Sequence, residues 1–268
     1  MVEIREEPSE PTTGDTAPST SAGASQGNQI PAVMTISQFI STNLMECCMN
    51  ATRLMTLFFA ICYVLPMLSP IAPDSAYFKA FAAAAATNAL RMQQRVGTIT
   101  LSREFFARLM LEDSCHYILY SVLFLTSTPV TMALLPIFIF SGLQAAAFAT
   151  KLMTTTGSGN SAVCLKLSQL VREHTPTALG IVACAEIFLI PILISMIFVG
   201  KASLFMPFLY YRFLTLRYAS RRNPYTRQAF ASMRFSLEQV AASPRCPGPV
   251  RMLVSRSVNF ISGLAPAF

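Results

Sequence analysis

The chain has 268 residues, of which 53% are hydrophobic and 12% charged, with a formal net charge of +7. A soluble domain carries about 25% charged residues, so this composition excludes an ordinary soluble protein. The deficit is concentrated in blocks: 20 residues without a charge between Arg53 and Asp74, 37 between Asp113 and Lys151, and a stretch from Glu173 to Lys201 whose only charge is Glu186. A helix needs roughly 20 apolar residues to cross a hydrocarbon core of about 30 Å, and three such blocks in one short chain predict a polytopic membrane protein.

Residues 1–33 are acidic and rich in Ser, Thr, Pro and Gly, with Glu3, Glu6, Glu7, Glu10 and Asp15 against a lone Arg5. Such a segment buries too little apolar surface to offset its ordering entropy and is expected to be disordered. It also lacks the basic start and early apolar run of a secretory signal, so the first membrane helix is expected to act as the uncleaved insertion signal.

Over 31–53, Ile36, Ile40, Leu44 and Cys47 recur at helical spacing and predict an interfacial helix leading into a span at 54–72. Pro73-Asp74 marks a turn, and 76–92, with five alanines from Ala82 to Ala86, predicts either a short returning span or a helix lying on the surface. Residues 95–113 read as an amphipathic connector in which Ser102 caps a helix. At about 1.5 Å per residue the block 114–150 is too long for one crossing. It breaks at Thr126-Ser127-Thr128-Pro129, which predicts a hairpin with arms at 114–126 and 130–150. After a flexible loop at 154–161 come a short surface helix at 162–174, a span at 177–200, and a further apolar arm at 202–217.

From Lys201 onward there are ten Lys or Arg residues and one acid, Glu238. Two amphipathic patterns follow Pro224 in the tail 218–268. Phe230, Met233, Leu237 and Val240 form one apolar stripe, and Val250, Leu253, Val254, Val258, Ile261 and Leu264 the other. The basic set Arg217, Arg221, Arg222, Arg227, Arg234, Arg251 and Arg256 accompanies them. Basic amphipathic helices of this kind bind anionic and curved membrane surfaces; the alternative is that they dock on the membrane domain. Charge beside apolar stripes, without base-stacking platforms, argues against nucleic acid.

If 34–217 folds as hairpins, nearly every Lys and Arg falls on the side of segments 1–53, 91–113, 151–175 and the tail, which the positive-inside rule makes cytosolic. Three simple spans would instead strand Lys151, Lys166 and Arg172 outside. The fold class expected is therefore all-α, a polytopic helical membrane protein of short transmembrane hairpins with cytosolic amphipathic C-terminal helices.

Candidate chemistry is sparse. Glu112 and His116 stand at i and i+4 beside Asp113, a spacing that can hold a metal, but no second ligand set of comparable quality follows, and a polar collar at the bilayer entrance is the preferred reading. Glu186 is an ionisable group inside a span, hence a functional candidate by default. A structural pairing is favoured, and a proton or ion relay in a channel or transporter is the rival. The seven cysteines lack C-x-x-C spacing and read as small hydrophobes. Nucleophile and dinucleotide signatures are absent, so neither enzymatic activity nor a cofactor is expected.

Several strings nevertheless resemble a known family. They are Leu111–Tyr120, Pro129–Met132, Glu186–Pro191 and above all the run Tyr210, Tyr211, Arg212, Phe213, Leu214, Thr215, Leu216, Arg217, Tyr218, Ala219, Ser220, Arg221, Arg222, Asn223, Pro224, Tyr225. Together they resemble the transmembrane protein 33, or Krüppel homologue 2, family, which includes fungal pore membrane proteins, over roughly 35–268. The resemblance implies a non-enzymatic protein of the endoplasmic reticulum and nuclear envelope. It further implies links to reticulon-type proteins, tubular membrane organisation, nuclear pore components and stress sensors of the endoplasmic reticulum. A membrane adaptor whose basic tail binds protein partners is the remaining alternative.

Overall fold

A computed structural model of the chain describes residues 34–96, 102–220, 223–243 and 246–264. The segment 1–33, expected to be disordered, lies outside them, as do Arg221, Arg222 and the side chain of Leu264. Among the described residues the chain is all helix, with no strand, and three helices are long and apolar enough to cross a membrane. The expected all-α polytopic architecture is the one observed.

A short helix α1 (Ile36–Thr42) precedes the first long one, α2 (Leu44–Val64). The span therefore begins ten residues before the expected 54, because Arg53 does not flank the helix but is carried inside it, 9% exposed. It ends before 72 because Pro66 has no N–H to continue the ladder, and Pro66–Leu68 tightens into a single 3₁₀ turn. The return arm is α3 (Pro73–Val96), with Pro73 at its start, Asp74 in the first turn and Arg95 in the last, as the helix dipole favours. Ala76, Ala80, Ala83 and Ala84 line its buried face, letting α2 and the later α5 approach closely on either side. It is not a surface helix.

Ser102 does cap α4 (Arg103–Met110), accepting from the Phe105 N–H at 3.1 Å. The break at 126–130 separates α5 (Asp113–Leu125) from α6 (Thr131–Thr155), close to the expected arms. The two do not form a closely packed hairpin, however. The backbone of α5 lies against α3 and α8, and that of α6 against α7 and α2. Only side chains such as Tyr120, which donates to the Ala133 carbonyl at 2.8 Å, connect them.

The expected surface helix 162–174 and span 177–200 are one continuous helix, α7 (Ala162–Phe198), 37 residues long, starting at a Ser161 cap that accepts from Cys164 N–H. Pro176 falls inside it without ending it, and Thr175 just before donates its hydroxyl to the Val171 carbonyl. At about 1.5 Å per residue this helix is roughly 55 Å long, well beyond a 30 Å core. Its first third, with Lys166, Arg172, Glu173 and His174, extends past the apolar zone. After Gly200, which takes a positive φ at the turn, α8 (Phe205–Ala219) returns alongside.

The turns sort to two ends of the body. Tyr63 Oη lies 3.0 Å from Thr131 Oγ1, and Thr128 donates to the Lys201 carbonyl at 3.0 Å, so the turns 65–72, 126–130 and 199–204 cluster together. At the opposite end Met34 N–H donates to Thr155 O at 3.1 Å, Lys151 pairs with Glu46 at 2.6 Å, and Arg95 pairs with Glu112 at 3.2 Å. Of the six helices α2, α3, α5, α6, α7 and α8, alternate ones run in opposite directions, and most of the basic residues collect at this second, basic end.

Between α3, α5 and α8 lies a continuous aromatic core. Phe81 and Phe124 stack at 5.6 Å, Tyr120 meets Phe124 at 4.8 Å and Phe213 at 5.0 Å, and Tyr210 meets Phe213 at 5.4 Å. In lipid, where apolar surface gains little by leaving the solvent, such dispersion contacts hold helices together.

The two tail helices, α9 (Tyr225–Ala242) and α10 (Gly248–Leu264), form as the apolar spacing predicted. Ala229, Phe230 and Met233 dock on Ala183, Ile187 and Leu214 of α7 and α8, and α10 packs on α9. With the native cysteines replaced, Ser203→Cys and Ser158→Cys should react with an impermeant maleimide from opposite sides of the membrane. Labelling of both from one side would rule out the two-ended arrangement.

Candidate functional site

One cluster of buried polar residues inside the apolar body ties three helices together. Glu186, from the middle of α7, is fully buried, and three side chains from two other helices converge on it. Arg217 of α8, 1% exposed, donates from Nε to Glu186 Oε2 at 3.3 Å. Tyr117 of α5 donates its hydroxyl to Glu186 Oε1 and turns its ring face to the Arg217 guanidinium, 5.0 Å away. Tyr210 of α8 donates to the Glu186 backbone carbonyl at 2.7 Å. The other edge of the same guanidinium reaches Asp113 Oδ1 at the start of α5, 3.4 Å from Nη1, and Ser220 donates to that oxygen at 2.9 Å. One planar guanidinium thus bridges carboxylates on two other helices, using a fork of donors that lysine does not possess.

Burial makes these contacts obligatory. A lone carboxylate or guanidinium in a low-dielectric interior is costly, and removing one partner of a buried pair costs several kcal/mol. Here each carboxylate oxygen of Glu186 has a donor, Tyr117 at Oε1 and Arg217 at Oε2. The geometry is a three-helix clasp.

The polar collar resolves into separate partnerships. Glu112 pairs with Arg95 at 3.2 Å, and His116 donates from Nε2 to the Met110 carbonyl at 2.7 Å with Nδ1 3.8 Å from Asp113. Among the described residues no group of three or more metal-ligating side chains assembles.

Arg217 does not lie on the membrane surface. Expected among the membrane-surface arginines, it is instead the buried centre of the clasp, because two acids and an aromatic face compensate it there. Arg227, Arg234, Arg251 and Arg256 are exposed on the tail helices. Two of them also close turns: Arg227 donates to the carbonyl of Ser220, the C-cap of α8, and Arg251 to that of Ser243, the C-cap of α9, both at 3.4 Å. Arg234 pairs with Glu238 one turn on, at 2.7 Å.

The apolar stripes divide. Phe230 and Met233 are half-buried against the body, Val254 is half-buried and Val258 buried, while Leu237, Val240, Val250, Leu253 and Ile261 stay exposed. Exposed Phe235, Met252 and Phe260 enlarge that open surface beyond the expected stripes.

The distinctive string 210–225 proves to be the machinery of the clasp and of the bend that follows it. Tyr210 and Arg217 grip α7, Arg212 is exposed, and the Tyr218 ring meets Phe230 at 5.7 Å. Asn223 Oδ1 accepts from Tyr225 N–H at 3.1 Å, and Pro224 starts α9. Tyr117 and Ser220 carry no signal of their roles in the residues around them. Their partners lie 69 and 107 residues away, and no local pattern marks such contacts.

Arg217→Lys should lower stability by about 2–3 kcal/mol, since one ammonium cannot span both acids, and Glu186→Leu by about 3–5 kcal/mol. Thermal unfolding in detergent measures both. A change under about 0.5 kcal/mol in each would remove the clasp from the account of stability.

Comparison with known proteins identifies relatives over most of the chain. The family model described as Transmembrane protein 33/Nucleoporin POM33 matches residues 28–267. A Caenorhabditis elegans Transmembrane protein 33 homolog is 52% identical over 236 residues, covering 88% of this chain and 87% of the relative. Homo sapiens Transmembrane protein 33 is 44% identical over 229 residues, 85% of this chain and 93% of the relative. Drosophila melanogaster Krueppel homolog 2 is 37% identical over 242 residues, 90% and 86% respectively. None of these names is that of an enzyme, and no solved structure gives a significant match. The chain belongs to the transmembrane protein 33/nucleoporin POM33 family.

Proposed function

We propose that the chain is a non-enzymatic organiser of endoplasmic reticulum and nuclear envelope membrane, embedded by unequal helix pairs with its basic end and tail in the cytosol. The carrying observation is the mismatch within the body. At about 1.5 Å per residue, α5 with 13 residues and α8 with 15 reach about 20 and 22 Å, against a core of about 30 Å. The helices packed beside them, α3 and α7, have 24 and 37 residues. Short arms beside long ones occupy the two leaflets unequally, which favours bent or thinned bilayer.

The tail adds to this asymmetry. Ile187, against which α9 packs, is eleven residues from the end of α7, about 17 Å along the helix from the far turns. This supports a position for α9 at the level of the leaflet on the basic side, where its arginines meet anionic headgroups and its exposed Phe235 and Val240 meet acyl chains. The positive-inside rule assigns that side to the cytosol. Tubular network organisation, regulation of reticulon-type proteins, distribution of nuclear pore components and modulation of stress sensors are the roles that such a surface would serve. Conduction through Glu186 is disfavoured, because the carboxylate is enclosed and paired.

In giant vesicles containing anionic lipid, the full-length protein should concentrate in pulled membrane tethers relative to the flat parent membrane, by about twofold or more. Charge reversal at Arg227, Arg234, Arg251 and Arg256 should remove most of that enrichment. Equal density of the unaltered protein on tether and parent membrane would overturn the proposal.

A further inference from the structure

A second polar feature lies within the body and takes no part in the clasp. On α2, Met49, Arg53, Thr56 and Ala60 form the buried face, and Arg53 stands among them. Its Nε is buried with no hydrogen-bond partner among the described residues. One turn earlier Asn50 buries its Oδ1, also without a partner. The two do not satisfy each other, although they are three residues apart on one helix.

The surroundings make the site cationic. The hydroxyls of Thr52 and Thr87 meet at 2.8 Å and set the register of α2 against α3. That register brings Arg91, one turn beyond Thr87, into electrostatic range of Arg53. Glu46 acts on Arg53 from the other direction, but Lys151 of α6 holds both its oxygens, at 2.8 and 2.6 Å. Arg53 lies seven residues, about 10 Å, inward of that Glu46–Lys151 pair, on the basic half of the body.

A guanidinium this deep in an apolar body is unfavourable unless an acceptor reaches it. The missing partner has a defined chemistry: it must accept from Arg53 Nε and donate to Asn50 Oδ1 over the span of one helical turn. A phosphate bearing a neighbouring hydroxyl or ammonium does both, and basic recesses between membrane helices on the cytosolic side bind phospholipid headgroups in this way. We propose that Arg53 and Asn50, beside Arg91, form an intramembrane phosphate site between α2 and α3. Its occupant is a phosphodiester headgroup with a hydrogen-bond donor, entering from the leaflet on the basic side.

This site is independent of the tail's membrane contact, so the test uses full-length protein already carrying charge reversals at Arg227, Arg234, Arg251 and Arg256. The protein is reconstituted in phosphatidylcholine nanodiscs with or without a minor fraction of phosphatidylinositol. Native mass spectrometry then reads the lipid retained after extraction. Phosphatidylinositol should be kept in preference to phosphatidylcholine, and Arg53→Gln should weaken retention about tenfold. Asn50→Leu, which leaves the charge in place, should weaken it several-fold and guards against a folding defect in the arginine variant. No preference for phosphatidylinositol, or retention unchanged by both substitutions, would overturn the site. Inorganic phosphate added to phosphatidylcholine nanodiscs separates the sources. Raised melting temperature with phosphate, lost in Arg53→Gln, would support the phosphate site but overturn the headgroup as its occupant; no shift would support the headgroup.

Discussion

The guanidinium of Arg217 is the constraint on which the arrangement of this protein depends. Apolar helices in lipid have little to choose between partners, because a leucine is as well solvated by an acyl chain as by another helix. A buried charge removes that freedom. Glu186 on α7 and Asp113 on α5 each require the same cation, and the cation is on α8. The consecutive helices α7 and α8 are thereby tied to α5, distant in the chain, and the aromatic core from Phe81 to Phe213 packs around a geometry the ion pairs have set.

The clasp also explains why α5 pairs with α8 rather than with α6, its neighbour in sequence. A tight turn makes α5 and α6 consecutive, but the strongest interactions available to α5 are the salt bridge and hydroxyl contact at Asp113 and the hydroxyl of Tyr117. The bend after Ser220 follows from the same anchorage. With Arg217 held inside, the chain leaves at the Asp113 end and α9 is laid across α7.

Much of this was legible in the residues, and the reasons for the rest are specific. Charge-free blocks located the apolar helices, Thr126–Pro129 located a turn, and Ser102 located a cap, since each is a local property. The start of α2 was misplaced by ten residues because Arg53 reads as a boundary when a buried arginine is not anticipated. The continuity of α7 through Pro176 was missed because a proline in a polar stretch ordinarily ends a helix. Glu186 was picked out by its setting and its structural role was favoured. Its partner was not found, because Arg217 looks like one more member of a basic tail. Only the third dimension separates it from Arg227 or Arg234.

The clasp has a consequence for how the chain is made. Synthesis delivers Asp113 and Tyr117 first, then Glu186, and Arg217 only 31 residues after Glu186. At translation rates of about 5–20 residues per second that interval is a few seconds. During it, α7 has an acid in its middle and no cation to meet it. Helices α2, α3 and α6 can be placed as they emerge, but α5 and α7, whose Asp113 and Glu186 share the cation of α8, cannot reach their final surroundings until α8 has followed them. The last pair therefore closes the bundle as a unit, and a chain interrupted between Phe198 and Arg217 is left with an uncompensated carboxylate, a mark by which quality control can tell it from a finished one.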